Sequence, residues 1–220
     1  MGPDNFIDTR NFRHVTQDMV AALTPRSRFL SRVSEPTIGK GFMVLDVGSY
    51  TVVLAGDARE LSQALRYVPQ EKRPAINHEL FEFYAETFPG RSVALCCFNQ
   101  SLEAVEPLMF WWEPRDLTRF IMPALDAHTG RAPVFGQTVE VNHWLIASSY
   151  RMRGGEEVSY RDYDAIPGPV QLLLPERVTG CLVKGFRPNG DFTVSTEKVY
   201  RVPPHSHLQD RDFSRLTAAE

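Results

Sequence analysis

The hydrophobic positions change period along the chain, and the changes predict its elements. In the first 40 residues Val15, Met19 and Leu23 recur every four positions, the spacing of one helix face. Thr24-Pro25 is a second helix start, with Thr as the cap and Pro at the first helical position. Phe29 and Val33 share a face of that helix, and Arg26, Arg28 and Arg32 make it locally basic. Those arginines read as a solvated face, with a docking helix as the sharper alternative. From Phe42 to Ala55 the period falls to that of strands. FMVLDVGSYTVVLA predicts two strands around a tight turn at Val47-Gly48-Ser49. Asp57 then caps a helix with Glu60 in the reciprocal position, and Leu61, Ala64, Leu65 and Val68 form its stripe. Pro69 stops it. Asn77 caps another helix, with Leu80, Phe81, Tyr84 and Phe88 facing inward.

The middle of the chain is the most apolar. SVALCCF (92–98), LMFWW (108–112), FIMPAL (120–125) and VEVNHWLIAS (139–148) predict strands, and near-continuous hydrophobicity suggests burial on both faces. Their connections are short, which favours antiparallel pairing. Arg153-Gly154-Gly155 to Pro169 reads as a loop-rich break. Two more strands, Cys181–Phe186 and Asp191–Thr196, are joined by Arg187-Pro188-Asn189-Gly190, a hairpin signal. The expected fold is therefore α+β. It has a mainly antiparallel sheet, helices from the N-terminal half on one side, and a C-terminal β-hairpin. The expected organisation is a helical segment (1–41), one α+β domain (42–202), and a polar, loose tail (203–220).

Composition narrows the function classes. With 220 residues, 43% hydrophobic and 23% charged, the chain can build a core without disulfides or metals. A net charge of −3 gives no basic or acidic excess, so nucleic acid and anionic membranes are not expected partners. MGPDNFIDTRNF carries no secretory apolar core and no run reaches the length of a membrane span. Gly2 is followed by Pro3 and does not fit an acylation signal. Three cysteines, Cys96, Cys97 and Cys181, suggest reduced thiols and a cytoplasmic location. In that setting Asn99-Gln100-Ser101 is not an expected glycosylation site.

Several stretches carry chemistry. LDVGSYTVVLAG resembles the phosphate-binding hairpin of the actin and sugar-kinase family, with Asp46 and Gly48 in the matching places. The resemblance spans about a dozen residues of the 220. That family needs a second Asp-Gly hairpin and a second α/β domain, and Asn189-Gly190-Asp191 has the order reversed. An ordinary β-turn is the better reading. Cys96-Cys97 ends a strand, where neighbours point to opposite faces. Cys97 would be a nucleophile only as a thiolate, with His128 or His143 as base and Asp126 or Asn142 orienting it; the competing role is inert packing. In PALDAHTG (123–130), Asp126 and His128 lie on one side of an extended chain and Thr129-Gly130 turns it. A ligand or catalytic corner competes there with a simple Asx turn. With His143, His205 or His207 a metal site is conceivable, yet the spacing fits no zinc pattern, and no metal or cofactor is expected. Of Trp111-Trp112, one ring should face inward and one outward beside Glu113. GxGxxG, P-loop and Gly-x-Ser-x-Gly patterns are absent.

The expected function is a small-ligand- or protein-binding module, with homo-oligomerisation as a further possibility. Its surface would gather Cys97, Asn99, Trp112, Glu113, Asp126, His128 and Thr129 from the ends of separate strands. The alternative is a cysteine-dependent hydrolase or transferase using Cys97, His128 or His143, and Asp126.

Overall fold

A computed structural model describes residues 2–24, 37–38, 41–99, 101, 105–127 and 130–216. In chain order its first elements are β1 (Phe6–Ile7), α1 (Val15–Leu23), β2 (Thr37–Ile38), β3 (Phe42–Val47) and β4 (Tyr50–Ala55). Then come α2 (Leu61–Ala64), α3 (His78–Thr87), β5 (Val93–Cys97), β6 (Met109–Phe110), β7 (Arg119–Met122) and β8 (Thr138–Ala147). The last are β9 (Glu156–Glu157), α4 (Gly168–Gln171), β10 (Arg177–Pro188), β11 (Asp191–Ser195), α5 (Thr196–Tyr200) and β12 (Ser214–Leu216). The fold is α+β with several antiparallel sheets. No described helix is long and apolar enough to cross a membrane. The basic segment around Arg26–Arg32 lies outside the described residues. Thr24 ends α1, its hydroxyl donating to the Val20 carbonyl at 2.7 Å.

Two compact units divide the chain, and the stretch 42–202 is shared between them. The first comprises Met1–Arg13, Phe29–Glu113 and Ala127–Ala132. Its main sheet runs β2-β3-β4-β5, all antiparallel. Alternation sends Phe42, Val44, Val53 and Ala55 to one face, where Leu61, Ala64, Leu65, Val68 and Phe81 cover them. The predicted stripe is thus the helix face that packs. Asp57 accepts from the Arg59 amide at 2.9 Å and caps the 3-10 turn Ala58–Glu60 that leads into α2, and Asn77 accepts from the Leu80 amide at 3.0 Å and caps α3. Leu45, Val47, Val52 and Leu54 fill the other face with Phe6 and Leu108 packed against them. Burial on both faces explains the unbroken apolar run of β4.

The second unit comprises His14–Arg28, Pro114–Asp126 and Pro133–Glu220. One sheet runs β8-β10-β9 and another β12-β11-β7. Val141, Leu145, Val183, Phe192 and Val194 from these strands share one core. β8 is not buried on both faces. Val141, Leu145 and Ala147 point in while Glu140 and Asn142 are exposed, the alternation of a strand with one wet face, and His143, opposite buried Val183 on the inward side, is exposed as well. β10 and β11 follow each other through Asn189-Gly190, and each takes its ladder from other strands: β10 from β8 and β9, β11 from β7 and β12. Asn189 prolongs the β8–β10 ladder, its amide donating to the Gln137 carbonyl at 2.7 Å. The segment expected to be a loose tail is packed up to Leu216. Leu208 and Phe213 enter the core, and β12 adds a strand beside β11. Two apolar side chains, with the Leu208 amide donating to the buried Thr179 hydroxyl at 2.9 Å, hold a segment whose composition is polar.

Candidate functional site

The predicted site residues distribute between the units. Cys97 and Cys96 end β5 in the first unit and point to opposite faces, Cys97 into the helix-covered core and Cys96 against the other. Burial pushes both thiols up to about 11. Both are therefore held as neutral thiols at neutral pH, the reverse of an activated nucleophile. The Asn99 carboxamide oxygen accepts from the Ser101 amide and hydroxyl, at 2.9 and 2.7 Å, as an Asx turn does.

Trp111 and Trp112 are both half exposed, not one in and one out. β6 ends at Phe110, so strand alternation stops before them. The Phe110 ring stacks on Phe6 from β1 and meets Trp112, each at 5.5 Å between centroids, forming a row of three rings. The Trp111 indole donates to the Asp4 carbonyl at 3.2 Å, and Glu113 is exposed beside the row.

The hairpin at Gly48 uses its own polar groups. Asp46 accepts from the Thr51 hydroxyl across the β3–β4 ladder, and buried Glu106 accepts from the Ser49 amide and, at 2.7 Å, from the Ser49 hydroxyl. The space where a Cβ on Gly48 would sit is filled by the Glu106 carboxylate. A phosphate would meet an acid there, so the turn is structural.

PALDAHTG is the place where the chain passes from one unit to the other, between Asp126 and Ala127. His128 and Thr129 lie outside the described residues. Before them the backbone is clamped. The Asp191 carboxylate accepts from the amides of Ala124 and Leu125, at 2.8 and 3.0 Å. The buried Asn189 side chain accepts from the Asp126 amide at 2.8 Å and donates to its carbonyl at 2.9 Å. After them, in the first unit, the Asn77 amide donates to the Gly130 carbonyl. Asp126 and His143 both belong to the second unit, and His143 lies near Phe192. The Arg215 guanidinium covers that ring at 4.0 Å, and His143 meets it edge-on at 6.5 Å. Burial lowers the Arg215 pKa, an effect opposed by Asp191 and Asp126 and reinforced by Arg187.

The second unit also holds a cleft of about 410 Å³ built by the segment from Ser195 to Asp212. Ser195 caps α5, accepting from the Lys198 amide at 3.2 Å, and the short helix turns Lys198 and Arg201 to the cleft. Carboxylates alternate with them. Lys198 reaches Asp212 at 3.1 Å and Arg201 reaches Glu197 at 2.7 Å. The Gln209 amide and Lys198 hold the Asp212 carboxyl below its ordinary value of 3.8. Val202 and Leu208, both buried, contribute an apolar floor. The wall at Val202-Pro203 rests on Gly154, where any Cβ would overlap the carbonyls of Val202 and Pro203; that is why the 153–155 break needs glycine. His207 lines the cleft 3.8 Å from Glu156, and its Nδ1 has no hydrogen-bond partner among the described residues.

None of the cleft residues was among the predicted site residues. His207 was visible only as half of a His-x-His pair. For the rest the sequence offers Glu197, Lys198 and Arg201 beside Val202 and Pro203, a pattern that ordinary surface helices share. Comparison with family models, with curated proteins and with solved structures finds no match.

Proposed function

We propose that the protein is a binding module for a small ligand, held in the cleft beside α5. The observation that carries this reading is the cleft itself. It combines a ligand-sized volume, convergent charged side chains and a buried apolar floor from Val202 and Leu208. The cysteine-dependent alternative has less support, because burial holds the Cys97 thiol at about 11. Three unpaired cysteines favour a reducing, cytoplasmic setting.

The test is thermal unfolding with a panel of small anions, amines, zwitterions and neutral sugars. A ligand that binds only the folded state raises the Tm with concentration. At least one compound should do so for the wild type and lose the effect in Lys198→Glu. A panel without a single concentration-dependent rise contradicts the reading.

A further inference from the structure

We infer that the ligand of the α5 cleft is a zwitterion of the α-amino-acid type with an aliphatic side chain. This rests on the small-ligand reading above and names its chemistry. The lining carries two permanent cations, Lys198 and Arg201, and two carboxylates, Glu197 and Asp212. The charges of these four groups cancel. A simple anion would be attracted by one pair of groups and repelled by the other, and so would a simple cation. A molecule carrying both signs meets both.

The four groups are already paired with each other, Lys198 with Asp212 and Arg201 with Glu197. Three of the four side chains are largely in water: Lys198 is 52% exposed, and Arg201 and Glu197 are 78% and 67% exposed, while Asp212 is 25% exposed. Pairs in that setting contribute little stability and exchange partners readily. A zwitterion can therefore replace each internal pair by two new ones. Its carboxylate accepts from Arg201 and Lys198, and its ammonium donates to Glu197 and Asp212. Asp212 is suited to the second task, since its carboxyl is kept ionised by the Gln209 amide and Lys198. The floor of Val202 and Leu208 then offers an aliphatic side chain an apolar surface. The cleft volume of about 410 Å³ suits a single amino acid or a very short peptide.

The test is calorimetric titration of the wild type with leucine and four analogues. 4-Methylpentanoate lacks the ammonium and 3-methylbutylamine lacks the carboxylate. N-Acetyl-leucine and leucine amide mask one end each. Leucine should bind at least about tenfold more tightly than any analogue, the loss expected for one charged contact. Arg201→Gln should weaken leucine without weakening 3-methylbutylamine, and Glu197→Gln should weaken leucine without weakening 4-methylpentanoate. Equal binding of leucine and 4-methylpentanoate overturns the zwitterion and leaves a small-anion site. Silence from all five, with another class from the thermal panel binding at α5, overturns the ligand class alone. Silence from every compound in both experiments overturns the small-ligand reading as well.

Discussion

At the scale of single residues, the polar side chains that looked most chemical are those that hold the backbone. Gly48 illustrates it. Its φ of +62° suits glycine, and the Glu106 carboxylate occupies the space beside it. Gly48→Ala should cost about 2 kcal/mol or more in urea unfolding, from a left-handed backbone and a displaced buried acid. Gly56→Ala, which would meet nothing within 4 Å, should change stability by about 0.5 kcal/mol or less. Equal losses would remove the role assigned to Glu106. The cysteines follow the same logic. Iodoacetamide should leave Cys96 and Cys97 unlabelled in the native protein at neutral pH, and peptide mass spectrometry reads the result. Rapid labelling of Cys97 near pH 6 would restore the enzyme alternative. The turn at Gly48 and the opposed faces of Cys96 and Cys97 were legible, because both depend on neighbours in sequence. The clamp of Asn189 on Asp126 was not. It joins residues far apart in the chain, and Asn-Gly reads locally as a hairpin whatever its side chain grips.

At the scale of elements, α1 is docked by charge as well as by apolar packing. The buried carboxylate of Asp18 takes the Arg161 guanidinium and its backbone amide, and buried His14 meets Asp162 at 2.6 Å. Arg161→Ala should destabilise the protein by about 3 kcal/mol, because it strands a carboxylate that is nearly out of water. Chemical denaturation measures this, and a loss below about 1 kcal/mol would mean that Asp18 finds other solvation. Asp212 ties α5 to the segment before β12. Its pKa is lower in the folded state, so its contribution is present above the ordinary carboxylate value of 3.8 and is lost as pH falls through the folded one. Wild-type stability should therefore fall more steeply than that of Asp212→Asn between neutral pH and pH 2. Parallel profiles would contradict it. Helices α1 and α3 were legible from their period, and strands β3, β4 and β8 from their apolar and β-branched runs, although β8 has one wet face where its composition suggested none. The ordering of the segment beyond Pro203 was not, because Leu208 and Phe213 are too sparse to show a period.

At the scale of the molecule, the chain crosses between its two units several times, after Arg13 and again near Glu113, Asp126 and Ala132. That interleaving explains why no shift in composition marked a boundary, and why PALDAHTG looked like a site. A crossing segment must satisfy its polar backbone from each unit in turn, and Asp, Asn and Gly supply the means. The cleft beside α5 is not legible in the sequence for the opposite reason. Its residues are close in sequence, but ordinary surface helices also carry Lys, Arg and Glu at these spacings, and only the buried Val202 and Leu208 turn them into a floor and walls. The most direct test of the central claim is backbone NMR of the labelled protein titrated with leucine. Saturable shifts should gather in residues 195–212 and be lost in Lys198→Glu. Shifts centred instead on the aromatic row at Phe110–Trp112, or on β5 around Cys97, would contradict the assignment of the site to the cleft.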